Sequence, residues 1–155
     1  MKDKKALTAP CGLDCFNCDI YEDNLTNDLA ELISKKTGAH MEEIACKGCR
    51  QQDGKHFHLS SEGCATLNCA KANGLEMCCD CTDFPCVFLA PTADEAARYP
   101  HNMKVYNLCR TKKVGLDRWI EEEAGQIRKK YFTGKFVVGR GQAEAEHTPS
   151  DMKLG

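Results

Sequence analysis

No apolar run in this chain approaches the roughly 18 consecutive residues of a membrane span. Aromatic side chains make up only 7% of its 155 residues, with a single Trp, so a large core filled by rings is excluded. Charge of one sign is lacking too. Lys and Arg number 21 against 23 Asp and Glu, a formal net charge of −2. That balance disfavours broad binding to a nucleic-acid backbone, which rewards a basic surface. No Ser-His-Asp set, phosphate loop or carboxylate dyad stands out, and no catalytic residue is named. The first ten residues carry the charges of a secretory leader without an apolar stretch behind them, so the expected location is cytoplasmic.

What the chain has in excess is cysteine, 12 of 155. Eight of the twelve fall between positions 46 and 86. Cys46 and Cys49 bracket Lys-Gly. Cys78, Cys81 and Cys86 are spaced Cys-x2-Cys-x4-Cys, and the same spacing recurs seventeen residues upstream at Ser61, Cys64 and Cys69, with a hydroxyl in place of the first thiol. Upstream of all these, Cys11, Cys15 and Cys18 form Cys-x3-Cys-x2-Cys. In a reducing compartment such pairs point to metal or redox chemistry rather than disulfides, because thiolates three apart can share one ion across a tight turn. The Cys-x3-Cys-x2-Cys run is also the spacing by which radical S-adenosylmethionine enzymes hold a cluster. Here Asn17 stands where those enzymes usually carry an aromatic residue, and a barrel of their kind takes about 200 residues or more.

The remaining residues read as connectors and helices. Leu25, Leu29, Leu32 and Ile33 predict an amphipathic helix over 23–36, capped by Asn24 or Thr26 and ended at Gly38, with its stripe in the core. His56-Phe57-His58 alternates and reads as hairpin or loop. Its histidines are candidate ligands of lower rank than the thiols. Residues 69–73 read as a helical turn stopped by Gly74. Pro85 fits a first helical position, which would aim backbone N–H groups at Cys86. Cys78 and Cys79 are adjacent, so their side chains diverge, and Cys79 is the one expected not to ligate. Residues 93–97 and 102–109 read as helical, separated by Pro100. Leu116, Trp119, Ile120, Ala124, Ile127 and Tyr131 mark one face of a longer helix ending at Gly134. The basic stretch 128–135 reads as cations at a helix C-terminus rather than a nucleic-acid surface. The fold class expected is α+β, small and irregular, with metal-bound loops and short helices ahead of C-terminal helices. One domain is expected over 1–136, with a flexible tail over 137–155.

The ordered set Pro10-Cys11-Gly12-Leu13-Asp14-Cys15, Cys18, Tyr21, Cys46-Lys-Gly48-Cys49, Cys64-x4-Cys69-Ala70 and Cys78-x2-Cys81-x3-Pro85-Cys86 resembles a family of small cysteine-rich bacterial and archaeal proteins known as domain of unknown function 3795. The resemblance covers roughly residues 8–120. It implies zinc binding with no established role, and it implies ten ligands: Cys11, Cys15, Cys18, Cys46, Cys49, Cys64, Cys69, Cys78, Cys81 and Cys86. The chain departs from the family at Ser61, where a cysteine is common and a hydroxyl is a poor zinc ligand.

Ten thiols supply two or more four-sulfur zinc sites, each adding two negative charges to the loaded protein. Cys46 and Cys49 with Cys64 and Cys69 are one plausible set, and Cys11, Cys15 and Cys18 with Cys86 another. The leading function is a non-catalytic module, stabilised by structural zinc, for an unknown protein or small-molecule partner. The alternative is an iron–sulfur (4Fe–4S) electron-transfer protein. Thiol chemistry or metal trafficking through Cys79, Cys86 or Cys109 is a third reading.

Overall fold

A computed structural model describes residues 3–59, 62–90 and 98–134. Ser61, the expected helix over 93–97 and the tail over 137–155 lie outside the described residues. Among the described residues every regular element is helical. The only extended pairings are two isolated bridges, Thr8 with Asp14 antiparallel and Tyr21 with Cys46 parallel. The α+β expectation is therefore corrected to an all-helical fold. Each bridge stays single because the chain turns on either side of it. Cys46 N–H donates to Ile20 O at 2.8 Å and Glu22 N–H to Cys46 O at 2.8 Å, and then Gly48 breaks the run at φ +98.

The first helix, α1 (Asn27–Thr37), begins and ends on the residues its sequence advertises. Thr26 Oγ1 accepts the Leu29 N–H at 3.3 Å, and Gly38 closes the last turn at φ 76 with its N–H on Ser34 O. The apolar stripe, however, is not core. Only Ala30 is buried and Leu32 remains 48% exposed, so α1 lies on the flank, packed on the short α2 (Met41–Ile44). α3 (Ala65–Ala72) buries Leu67 and Ala70 and stops before Gly74. Over residues 85–90 there is no helix. The chain makes a lone turn, with Leu89 N–H on Cys86 O at 3.0 Å, and the Phe84–Pro85 peptide is cis.

The C-terminal part follows its periodicity. A 3-10 turn (Pro100–Met103) leads into α4 (Lys104–Val114), and Gly115 separates this from α5 (Leu116–Arg118). α5 runs on through a π turn (Trp119–Glu123) into α6 (Ala124–Thr133). Trp119, Ile120 and Ala124 form one buried cluster, against which Phe16 of the first cysteine loop packs. A second cluster is made largely of the cysteine region itself: Ala9, Cys11, Ala70, Met77, Cys78 and Cys79 pack with Leu89 and Leu108. Two side chains from the late helices reach back to the first loop. Asn107 Nδ2 donates to Gly12 O at 2.7 Å, and Arg128 Nη1 donates to Asp14 Oδ1 at 3.0 Å.

Candidate metal centre

The first cysteine loop is a tight 3-10 turn (Cys15–Asn17) in which Cys18 N–H closes on Cys15 O at 3.0 Å. The second pair turns through Gly48, whose N–H points at Cys46 Sγ at 3.4 Å. A Cβ at Gly48 would stand 3.1 Å from Leu7 Cδ2 and 3.9 Å from Cys15 Cβ, so a side chain there is resisted by both backbone and neighbours. The single rung between Tyr21 and Cys46 sets the two pairs beside each other. Cys15 Sγ and Cys49 Sγ end 3.9 Å apart. A disulfide requires about 2.05 Å, and all twelve cysteines are free thiols. Two sulfurs each about 2.3 Å from one tetrahedral ion stand about 3.8 Å apart. The observed 3.9 Å is close to that edge and is also the length of a thiol–thiol hydrogen bond.

The electrostatics mark the same neighbourhood. The sulfur contact with Cys49 lowers Cys15 and raises Cys49, so the pair favours one thiolate beside one thiol. Burial pushes Cys46 up to about 11, and the Cys15 and Cys18 charges add to that while the Gly48 N–H opposes it. Burial also raises Cys18, against the Ile20 N–H and the Arg128 guanidinium. Cys15, Cys18, Cys46 and Cys49 thus form one group of mutually felt thiols.

A second group centres on Cys78, pushed up to about 12 by burial and then by the charges of Cys11, Cys86, Cys69 and Cys79. Cys78 N–H donates to Pro10 O at 2.8 Å, which lays this segment along the first loop. Burial takes Cys11 to about 11, opposed by Lys104 and the Leu13 N–H, with Cys15 and Cys64 adding to the rise. The turn Cys78–Asp80 repeats the geometry of Cys15–Asn17. Cys81 N–H closes on Cys78 O at 3.2 Å, with φ −73 and ψ 142 at Cys81 against −74 and 134 at Cys18. Cys64 caps α3 and packs on Gly54, where a Cβ would stand 2.7 Å from its own.

The structure brings Cys49 against Cys15 and lays the Cys46 segment beside Tyr21, while Gly54, whose N–H donates to Cys49 O at 2.8 Å, also packs on Cys64. Cys78 feels Cys11 and Cys86, and Cys11 lies between the two groups, since it also feels Cys15 and Cys64 and is felt by Cys49. Cys79 is 2% exposed in the apolar cluster with its sulfur 3.9 Å from Asp80 Oδ1, and Cys109 is exposed on α4. His56 and His58 face each other, Nδ1 to Nδ1 at 2.6 Å, away from these contacts. Among the described residues, no group of three or more His, Cys, Asp or Glu side chains stands close enough as it lies to hold an ion.

Sequence reasoning missed the bracing. Asp14 is fully buried between Cys11 and Cys15 and takes Arg128 on one oxygen and Asn17 Nδ2, at 2.9 Å, on the other. Its burial raises its pKa, and Arg128 pulls it back down. Arg50 ties the loops together from the other side, with Nε on Thr8 O at 2.8 Å and Nη2 on Glu76 O at 2.6 Å. A carboxylate inside a cysteine motif was visible in the sequence. Its partner, 114 residues on, was not.

These features define a small helical protein organised by cysteine-rich loops. The chain belongs to the family described as protein of unknown function (DUF3795), which matches residues 7–91. No curated protein and no solved structure matches it. The match is shorter than the 8–120 read from the sequence and ends ahead of α4. Asn107 and Arg128 therefore brace the family's loops from outside the matched span. Among the described residues, no helix is long and apolar enough to cross a membrane.

Proposed function

We propose that this chain is a zinc-stabilised, non-catalytic binding module of the cytoplasm. One ion is held by Cys15, Cys18, Cys46 and Cys49, and a second by four sulfurs drawn from Cys11, Cys64, Cys69, Cys78, Cys81 and Cys86. The observation that carries the reading is the 3.9 Å edge between Cys15 and Cys49, the separation that a tetrahedral four-thiolate ion imposes. The donor set supports it, being all sulfur, with the one carboxylate inside the loop engaged by Arg128. Rotation of Cys18 and Cys46 toward that edge completes the shell. A closed shell leaves no open position for chemistry, so the ion's contribution is structural. Val87, 85% exposed, and Phe88, 51% exposed, beside Cys86 support a partner-binding role, since exposed apolar groups mark contact surfaces.

The test is elemental analysis with a labile-sulfide assay on anaerobically prepared protein. About two zinc per chain without sulfide is expected. Iron with matching sulfide, and visible absorption near 400 nm, would replace this reading with an iron–sulfur electron carrier.

A further inference from the structure

A second concavity, built of different chemistry, opens at the far end of α1. Its volume is about 690 Å³, within the range of small-molecule sites. It is lined by Thr37, Gly38 and Ala39 at the end of α1, by Glu43 of α2, and by Phe57, His58 and Tyr99. Phe57 and His58 meet edge to face, with centroids 5.3 Å apart. His56 holds His58 from behind through the 2.6 Å Nδ1 contact and is itself fixed by Nε2 on Ile44 O at 3.1 Å. Two facing ring nitrogens can bond only if one of them carries no proton, so this pair is not doubly charged. Burial, then the charges of His56 and His101, push His58 down to about 4, although its ring edge reaches solvent. The histidine wall is therefore a neutral π surface near neutral pH.

Negative potential converges on this space from three sources. These are the Glu43 carboxylate, the carbonyl end of the α1 dipole, and the faces of the aromatic rings. The last turn of α1 carries two cations, Lys36 and Lys35, of which Lys35 is drawn to Glu31 at 3.6 Å. Arg98 lies over the Tyr99 ring, 5.1 Å from its centroid, with Nη2 donating to the hydroxyl at 3.4 Å. Tyr99 is thus a ring already serving a cation.

We propose that this concavity binds a small alkylammonium ligand, a quaternary or tertiary amine seated against Phe57, His58 and Tyr99 with Glu43 as counter-ion. The proposal is independent of the metal centre. Aromatic walls with one carboxylate recognise a diffuse, weakly hydrated cation, whereas an anion would meet Glu43 and the wrong end of a helix.

The test is titration of the full-length, metal-loaded protein with choline, followed by the ring resonances of Phe57 and Tyr99. Parallel titrations use 3,3-dimethylbutanol, its uncharged isostere, and inorganic phosphate. Choline is expected to shift both rings and to bind about tenfold more tightly than the isostere. Glu43→Gln keeps an oxygen for the His40 N–H that Glu43 Oε2 now accepts at 3.2 Å, so the local fold is preserved, yet choline affinity is expected to fall about fivefold. Arg98→Gln is expected to leave choline binding intact or tighten it. Equal binding of the isostere, stronger binding of phosphate, absence of any choline shift, or loss of choline binding in Arg98→Gln would each overturn the proposal.

Discussion

Replacing Arg128 with Met removes a cation from a carboxylate that has no solvent to turn to. Asp14 is 0% exposed and the Arg128 side chain only 13%, so the pair lies in a low-dielectric setting. Removing one partner of such a pair destabilises by about 3–5 kcal/mol, because the other charge is left buried. Asp14 has one way out, which is to take up a proton. From an ordinary value of 3.8, protonation near pH 7 costs about 4 kcal/mol at 1.36 kcal/mol per unit, and near pH 5 less than about 2 kcal/mol. The native-state pKa of Asp14 is raised, so the folded form holds that proton more tightly than the unfolded chain does. The penalty is then full above the folded value, fades as pH falls from there toward the unfolded value, and is gone below it. Arg128→Met is expected to lower the melting temperature of the metal-loaded protein by on the order of 10 °C near neutral pH. The loss should shrink by at least half near pH 5, and Asp14→Asn/Arg128→Met should recover most of it. Thermal unfolding followed by far-UV dichroism across that pH range reads all three. A loss below about 1 kcal/mol at neutral pH, or one indifferent to pH, would refute a buried charge at Asp14.

On the proposed zinc reading, Cys49→Ser should release about one metal equivalent by elemental analysis while Cys109→Ser releases none, since Cys49 lies 3.9 Å from another sulfur and Cys109 is exposed on α4. Gly54→Ala places a Cβ 2.7 Å from that of Cys64 at φ +65. It should lower the urea midpoint more than Gly38→Ala, where nothing lies within 4 Å and only the left-handed backbone is violated, at about 1–2 kcal/mol. Cys11 and Cys46 at about 11 and Cys78 at about 12 hold their protons at neutral pH. Zinc must displace those protons, so its affinity should rise with pH by up to about tenfold per unit for each proton released. Competition with a chromophoric chelator and proton release in weak buffer measure this, and a pH-independent affinity would count against thiol ligation.

Helix boundaries were legible wherever a local rule decides them. Thr26 and Gly38 frame α1 because capping needs only neighbours three or four residues away. The face from Leu116 to Tyr131 was legible because its period is that of the helix. The depth of a stripe was not: Leu29, Leu32 and Ile33 repeat like core residues, yet whether anything covers them depends on where distant segments pack. The α+β expectation failed at 56–58 for a related reason, since an alternating triplet has no partner strand here and its rings pair with one another. Which thiols are candidate ligands could be read from spacing. Which cysteine segments lie side by side could not, because that depends on the bridge between Tyr21 and Cys46 and the bond from Cys78 to Pro10. Arg128 looked like a surface cation at a helix end, and its buried partner lies in another part of the chain.

The order in which the two sulfur groups use the chain bears on how the protein is made. Every thiol of the inner group, from Cys15 to Cys49, sits between Cys11 and the later thiols of the outer one. On the proposed grouping, a growing polypeptide can close the inner ring while the outer one still waits for Cys86 to leave the ribosome. Arg128 follows all of these thiols in the chain, so its ion pair with Asp14 can close only after both cysteine loops have been made.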